Sequence, residues 1–110
     1  MPQTSIDIAG AADRTRVSGN IKIQSGTIVG LTAFALVAGT NPAGTWVEVG
    51  IMSGDVTQQH RVAVLDSGYI ATSTPVGWTG KLKAEQSMYV YADVYSSESA
   101  VVRLAVLMEL

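Results

Sequence analysis

The sequence predicts an all-β protein, a two-sheet antiparallel sandwich of jelly-roll-like design with about eight or nine short strands. Three observations support this prediction. Apolar residues alternate with a period of two through much of the chain, Gly and Thr separate short β-branched runs, and no segment clearly favours a helix. The 110 residues provide room for one domain. Another Greek-key sandwich is the alternative arrangement of the same strands.

The clearest alternation lies in the C-terminal part of the chain. In Met88–Tyr95, one face carries only apolar residues, whereas the other carries three tyrosines and Asp93. A polar turn follows, and the last segment alternates in the same way. We therefore expect a C-terminal hairpin whose apolar sets share one face. That register pairs Met88 with Met108 and sets Asp93 opposite Arg103.

Two further strand patterns precede a turn in the first quarter of the chain. Ile6 and Ile8 give Ser5–Ala9 an apolar face. Segment 14–24 alternates polar and aliphatic residues, and Ser25 is followed by Gly26, which is typical of a turn.

The apolar run Thr27–Ala38 suits a helix as well as a buried strand. Gly30 and the β-branched Ile28 and Val29 disfavour a helix interior, so we expect a strand. A continuous apolar run is typical of a strand covered on both faces. The core of the sandwich would cover one face of this strand, and a neighbouring molecule could cover the other face.

Alternation also marks two strands in the middle of the chain. Trp46–Met52 directs its aliphatic residues inward, and Gln59–Leu65 is expected to do the same with Val62 and Val64. The other predicted elements are a loop at Gly39–Thr45, a turn at Asp66–Gly68, a strand at Tyr69–Ser73, a loop at Pro75–Gly80 and a strand at Lys81–Ala84.

Charge is sparse in this chain. Charged residues make up 15% of the sequence, where about 25% is usual. The net charge is -2 without any run of like charge, which disfavours nucleic-acid binding. The absence of cysteine excludes disulfides and cysteine-based zinc sites. The N-terminus lacks a secretory-signal pattern and the longest apolar run is too short for a bilayer, so we expect no membrane partner.

The chain lacks the short motifs of catalysis and cofactor binding. No G-x-S-x-G, P-loop or H-E-x-x-H pattern is present. The acidic residues are spread evenly, and several fall in turns, where Asp commonly bonds the backbone. We expect no enzymatic activity, no catalytic residue, no metal and no cofactor.

Outward apolar residues are candidates for a subunit interface. Tyr89, Tyr91 and Tyr95 share the outer face of one predicted strand, and Phe34 and Leu36 lie in the apolar run. Aromatic residues are enriched in interfaces, and sparse charge leaves little polar cover for a monomer. We therefore expect a homo-oligomer that uses these residues.

Aromatic residues near predicted loops suggest a different use. Trp46, Tyr69 and Trp78 are candidates for rings on which a sugar would stack. The alternative role for Trp78 is to plug one end of the sandwich.

The segments Gly77–Leu82, Glu85–Ser87 and Met88–Ala92, with the closing strand after them, resemble the final strands of small β-sandwich structural proteins of bacteriophages and related viruses. The resemblance covers roughly the last third of the chain. It implies a capsid, decoration or spike component, made in the host cytoplasm and located in the virion. Its partners would be further copies of itself and other capsid proteins.

Residues 1–13 are expected to form an N-terminal arm or edge strand, and residues 14–110 a single β-sandwich domain. The leading functional hypothesis is a non-enzymatic viral structural protein that acts through symmetric assembly. A trimer or a pentamer follows from the resemblance alone. The alternative is a carbohydrate-binding β-sandwich module.

Overall fold

A computed structural model describes residues 3–10, 13, 15–23, 26–37, 44–54, 59–70, 75–83, 88–98 and 100–109. These residues form strands without any helix, which confirms the predicted all-β class. Positions 39–43 of the predicted loop Gly39–Thr45 and positions 71–74 lie outside the described residues, and Thr45 is the first residue of a strand rather than part of the loop. The strands are β1 (Gln3–Ala9), β2 (Val17–Ile23), β3 (Thr27–Val37), β4 (Thr45–Gly54), β5 (Gln59–Tyr69), β6 (Val76–Lys83), β7 (Met88–Ser96) and β8 (Val101–Glu109).

The strand pairing is that of one long hairpin wound into two sheets. Strand β4 pairs with β5, β3 with β6, β2 with β7 and β1 with β8, always antiparallel. Two more pairings, β3 with β8 and β4 with β7, complete sheets of order β1-β8-β3-β6 and β2-β7-β4-β5. This wound hairpin is a jelly roll, which confirms the predicted architecture.

The core lies between the two sheets and takes alternate residues from each strand. The predicted inward residues of β4, namely Val47, Val49 and Ile51, are all buried. Leu104 on β8 and Val90 on β7 are fully buried in the same cluster. The alternation therefore identified the core face of these strands correctly, because a strand buried on one side must segregate its apolar residues.

The predicted C-terminal hairpin is wrong, although both of its strands exist. Strand β7 belongs to one sheet and β8 to the other, so the chain crosses the sandwich between them. Each apolar face looks into the core from its own side, and a period of two cannot distinguish this arrangement from a hairpin. Met88 pairs with Ile23 rather than with Met108. Met108 instead pairs with Ile28.

The predicted ion pair between Asp93 and Arg103 is likewise absent, since the two residues lie on different sheets. The buried Asp93 carboxylate accepts a 2.6 Å hydrogen bond from Ser18 Oγ on β2. Arg103 Nε donates to Asp7 Oδ1 on β1 at 2.8 Å. This bond from Arg103 holds the pKa of the Asp7 carboxyl below its usual value.

Strand β5 departs most from the predicted pattern. It runs through the predicted turn at Asp66–Gly68, and its register against β4 shifts twice. Each shift leaves one extra residue in β5, and one extra residue sends the side chains beyond it to the opposite face. Val62 and Val64, which were predicted to face the core, are consequently 63% and 56% exposed.

Strand β6 occupies most of the predicted loop at Pro75–Gly80, since it begins at Val76. Asp66 Oδ2 on β5 accepts a 3.0 Å hydrogen bond from the Gly77 amide on β6. Asp, Ser and Gly residues that are typical of turns therefore lie inside strands here. The hydrogen bond of the Asp66 side chain links the two sheets at one edge of the sandwich.

The run Thr27–Ala38 is a strand, as predicted, up to Val37, and Ala38 lies outside the described residues. It is the inner strand between β8 and β6. Ala33 and Ala35 are buried in the core. Gly26, just before β3, has φ of 105°, a conformation that favours glycine and turns the chain into the strand.

Within the predicted N-terminal arm or edge strand 1–13, the described strand β1 pairs along its length with β8 and forms one edge of its sheet. Ile8 is buried in the core.

We expect Ile8→Ala to lower the free energy of unfolding by about 2–3 kcal/mol, as large-to-small core substitutions do. Thr4→Ala, at an exposed position of the same strand, should change it by less than about 0.5 kcal/mol in the same urea titration. Equal effects would show that β1 is not docked.

Candidate functional site

Three aromatic side chains lie in one row across the outer face of the β2-β7-β4-β5 sheet. The register pairs Trp46 on β4 with Tyr95 on β7 on one side and with Tyr69 on β5 on the other. The Trp46 and Tyr69 ring centroids are 5.1 Å apart, and the ring planes meet at 80°. Edge-to-face contact is favourable for aromatic pairs, so the two rings form a stable corner.

These rings and Glu48 line an open groove of about 420 Å³. Glu48 follows Trp46 by two positions on β4, and a period of two places both side chains on the same face. Among the described residues that line the groove, Glu48 carries the only charge. The groove is thus an open aromatic surface with a single carboxylate among its described lining residues.

Tyr91, on the neighbouring strand β7, orients the Glu48 carboxylate. Its hydroxyl donates a 2.8 Å hydrogen bond to Glu48 Oε2. Tyr91 lies opposite Gly50, and a Cβ atom on Gly50 would approach the Tyr91 ring to 2.9 Å. The absent side chain at Gly50 lets the ring lie close to β4, from where its hydroxyl reaches Glu48.

The predicted tyrosine row is not an open surface. Tyr89 and Tyr91 are buried with Met52 in a second apolar cluster on the outer face of this sheet. Tyr91 has no exposed area at all, and only Tyr95 remains half-buried, in the groove. We therefore expect a charged residue at Tyr91 to disturb folding itself.

The other predicted interface residues lie on the opposite sheet. Leu36 on β3 is 39% exposed, and Phe34, two positions before it, is half-buried. Both alternate with the buried Ala33 and Ala35, so they lie on the outer face.

The structure brings together two of the three predicted sugar-stacking residues. Trp46 and Tyr69 are in contact, whereas Trp78 is on β6 of the other sheet. Trp78 pairs with the buried Leu31 and packs on the core, so it faces inward. Sequence reasoning missed Glu48 and the place of Tyr95 in this site. Trp46 and Glu48 are two positions apart in one predicted strand, and this spacing was the sequence feature that could have placed Glu48 on the same face as Trp46.

No group of three or more His, Cys, Asp or Glu side chains able to hold a metal ion occurs among the described residues. Within the same part of the chain, no helix has the length and apolar character needed to cross a membrane. A comparison with protein-family models finds no match to this chain, and a comparison with curated proteins finds none either.

Proposed function

We propose that this protein is a non-enzymatic structural subunit that acts by symmetric self-assembly, as a capsid, decoration or spike component of a virus particle. The observation that carries the proposal is the exposure of Val62 and Val64 on β5. Among the described strands, only β4 pairs with β5, so β5 is an edge of its sheet. An edge strand with exposed valines is a template for pairing with another chain.

A second copy of this chain is the partner that best accounts for this edge. Proteins that stay monomeric usually protect their edges with charges, prolines, bulges or short strands, and β5 has two bulges but no charged residue or proline between Val62 and Leu65. Here the exposed stretch is Val62-Ala63-Val64, within a strand of 11 residues. Closed rotational symmetry buries such a stretch in every copy without leaving an open edge for further growth. The jelly roll is a fold used by viral capsid domains, which agrees with the viral resemblance of the last third of the chain.

The proposal predicts a homo-oligomer in solution that a charge on β5 disrupts. Wild-type protein at micromolar concentration should sediment as a closed oligomer. Val64→Lys should weaken that oligomer at least about tenfold, because a desolvated charge at an interface centre is costly. Val64 is largely exposed in the single chain, so the far-UV circular dichroism spectrum should be unchanged.

Asn20→Lys, at an exposed position of β2 on the opposite edge of the same sheet, is the matched control and should leave sedimentation unchanged. A monomeric wild-type protein would overturn the proposal. If both lysine substitutions weakened the oligomer equally, the interface would not lie at β5.

A further inference from the structure

We propose that the groove lined by Trp46, Tyr69, Tyr95 and Glu48 binds a quaternary ammonium group. This goes beyond the assembly function and does not rest on it. The site would accept ligands that carry such a head, for example choline-type compounds or a trimethylated lysine side chain.

The first reason is the arrangement of the rings. A cation is attracted to the face of an aromatic ring within about 6 Å of its centroid, most strongly by tryptophan. Trp46 lies between two tyrosines in the register, and its plane stands nearly perpendicular to that of Tyr69. Rings at right angles form the walls of a corner, which suits a compact cation. A sugar is bound better by a flat ring that is open over its whole face.

The second reason is charge. Glu48 is the only charged side chain among the described residues that line the groove, and no Lys or Arg is among them. One of its oxygens accepts the Tyr91 hydroxyl bond, which orients the carboxylate beside the rings. A single oriented carboxylate complements one positive charge.

The third reason is the small number of acceptors. A primary ammonium group carries three donors and loses binding free energy when they are not satisfied. The described lining offers one carboxylate, whose Oε2 already accepts the Tyr91 hydroxyl, and the phenolic oxygens of Tyr69 and Tyr95, which are weaker acceptors than a carboxylate. A quaternary ammonium group has no donors to satisfy and presents methyl groups to the rings. The groove therefore favours quaternary over primary ammonium.

Choline chloride and its neutral isostere 3,3-dimethyl-1-butanol test the proposal directly. The measurement is the fluorescence of the indole in a Trp78→Phe background, which leaves Trp46 as the only tryptophan. Choline should change the Trp46 emission with saturation, and the isostere should bind at least about tenfold more weakly because it lacks the charge. Sodium chloride at equal ionic strength controls for screening.

Two variants locate the site. Glu48→Gln keeps an acceptor for Tyr91 and removes the charge, so it should weaken choline binding by about fivefold or more. Tyr95→Leu removes one wall and should weaken it by a similar factor. Since Tyr95 is only half-buried, this variant should fold, and circular dichroism checks that it does.

Three outcomes would overturn the proposal. Equal binding of choline and its isostere would indicate an apolar pocket. Saturable binding of methyl glucoside without binding of choline would indicate a sugar site. No change with any probe would show that the groove is not a binding site for these ligands.

Discussion

Gly50→Ala is expected to lower the free energy of unfolding by about 3 kcal/mol, the upper part of the range for overpacking. A Cβ atom at Gly50 would overlap the carbonyl oxygen of Ala63 on β5 and lie 2.9 Å from the ring of Tyr91. The Ala63 carbonyl belongs to the backbone of the paired strand, and the Tyr91 ring is completely buried. Neither neighbour can give way without breaking other contacts. Urea unfolding followed by circular dichroism measures the loss.

Gly30→Ala is the matched control for Gly50→Ala. Both glycines lie inside strands, but a Cβ atom at Gly30 would meet the Leu107 side chain at 3.5 Å, which is an ordinary contact distance. We expect Gly30→Ala to change the free energy of unfolding by less than about 1 kcal/mol. Similar losses for the two variants would mean that the close approach at Gly50 is absent from the protein in solution.

Leu104→Ala is expected to lower the free energy of unfolding by about 2–5 kcal/mol, the range observed when a buried leucine is truncated. Leu104 has no exposed area and lies on β8, an inner strand flanked by β1 and β3. Strands on both sides restrict the collapse that would otherwise fill the cavity, so the loss should fall in the upper half of this range. The same urea titration measures it.

Leu107→Ala provides the control for Leu104→Ala on the same strand. Leu107 is half-buried and lies on the opposite face of β8, so the same side chain is truncated in the same backbone setting. Its loss should be about 1 kcal/mol, because less surface returns to water and no enclosed cavity forms. A larger loss at Leu107 than at Leu104 would contradict the assignment of the β8 core face.

The sequence by itself determined the all-β class, the positions of most strands and the core face of several of them. In β4, β7 and β8, aliphatic residues recur at every second position, and these positions supply the residues of those strands that lie in the core between the sheets. Burial of Tyr89, Tyr91 and Met52 on the outer face did not follow from this alternation. This information is local, because the direction of a side chain depends only on its parity within a regular strand. Gly26 likewise marked a turn through its own conformational freedom.

Only the tertiary structure decided which strands pair, where a bulge reverses the alternation of side chains between the two faces of a strand, and which side chains are in contact. Strands β7 and β8 have the pattern of a hairpin but lie in opposite sheets, because the winding of the whole chain determines their partners. In β5, the register shifts against β4 moved Val62 and Val64 to the surface. The groove depends on the same pairing, because β4 must lie between β7 and β5 for Trp46 to stand between Tyr95 and Tyr69. Contacts between residues far apart in the chain depend on the register of several strands at once, and that register is a property of the packed sandwich rather than of any single segment.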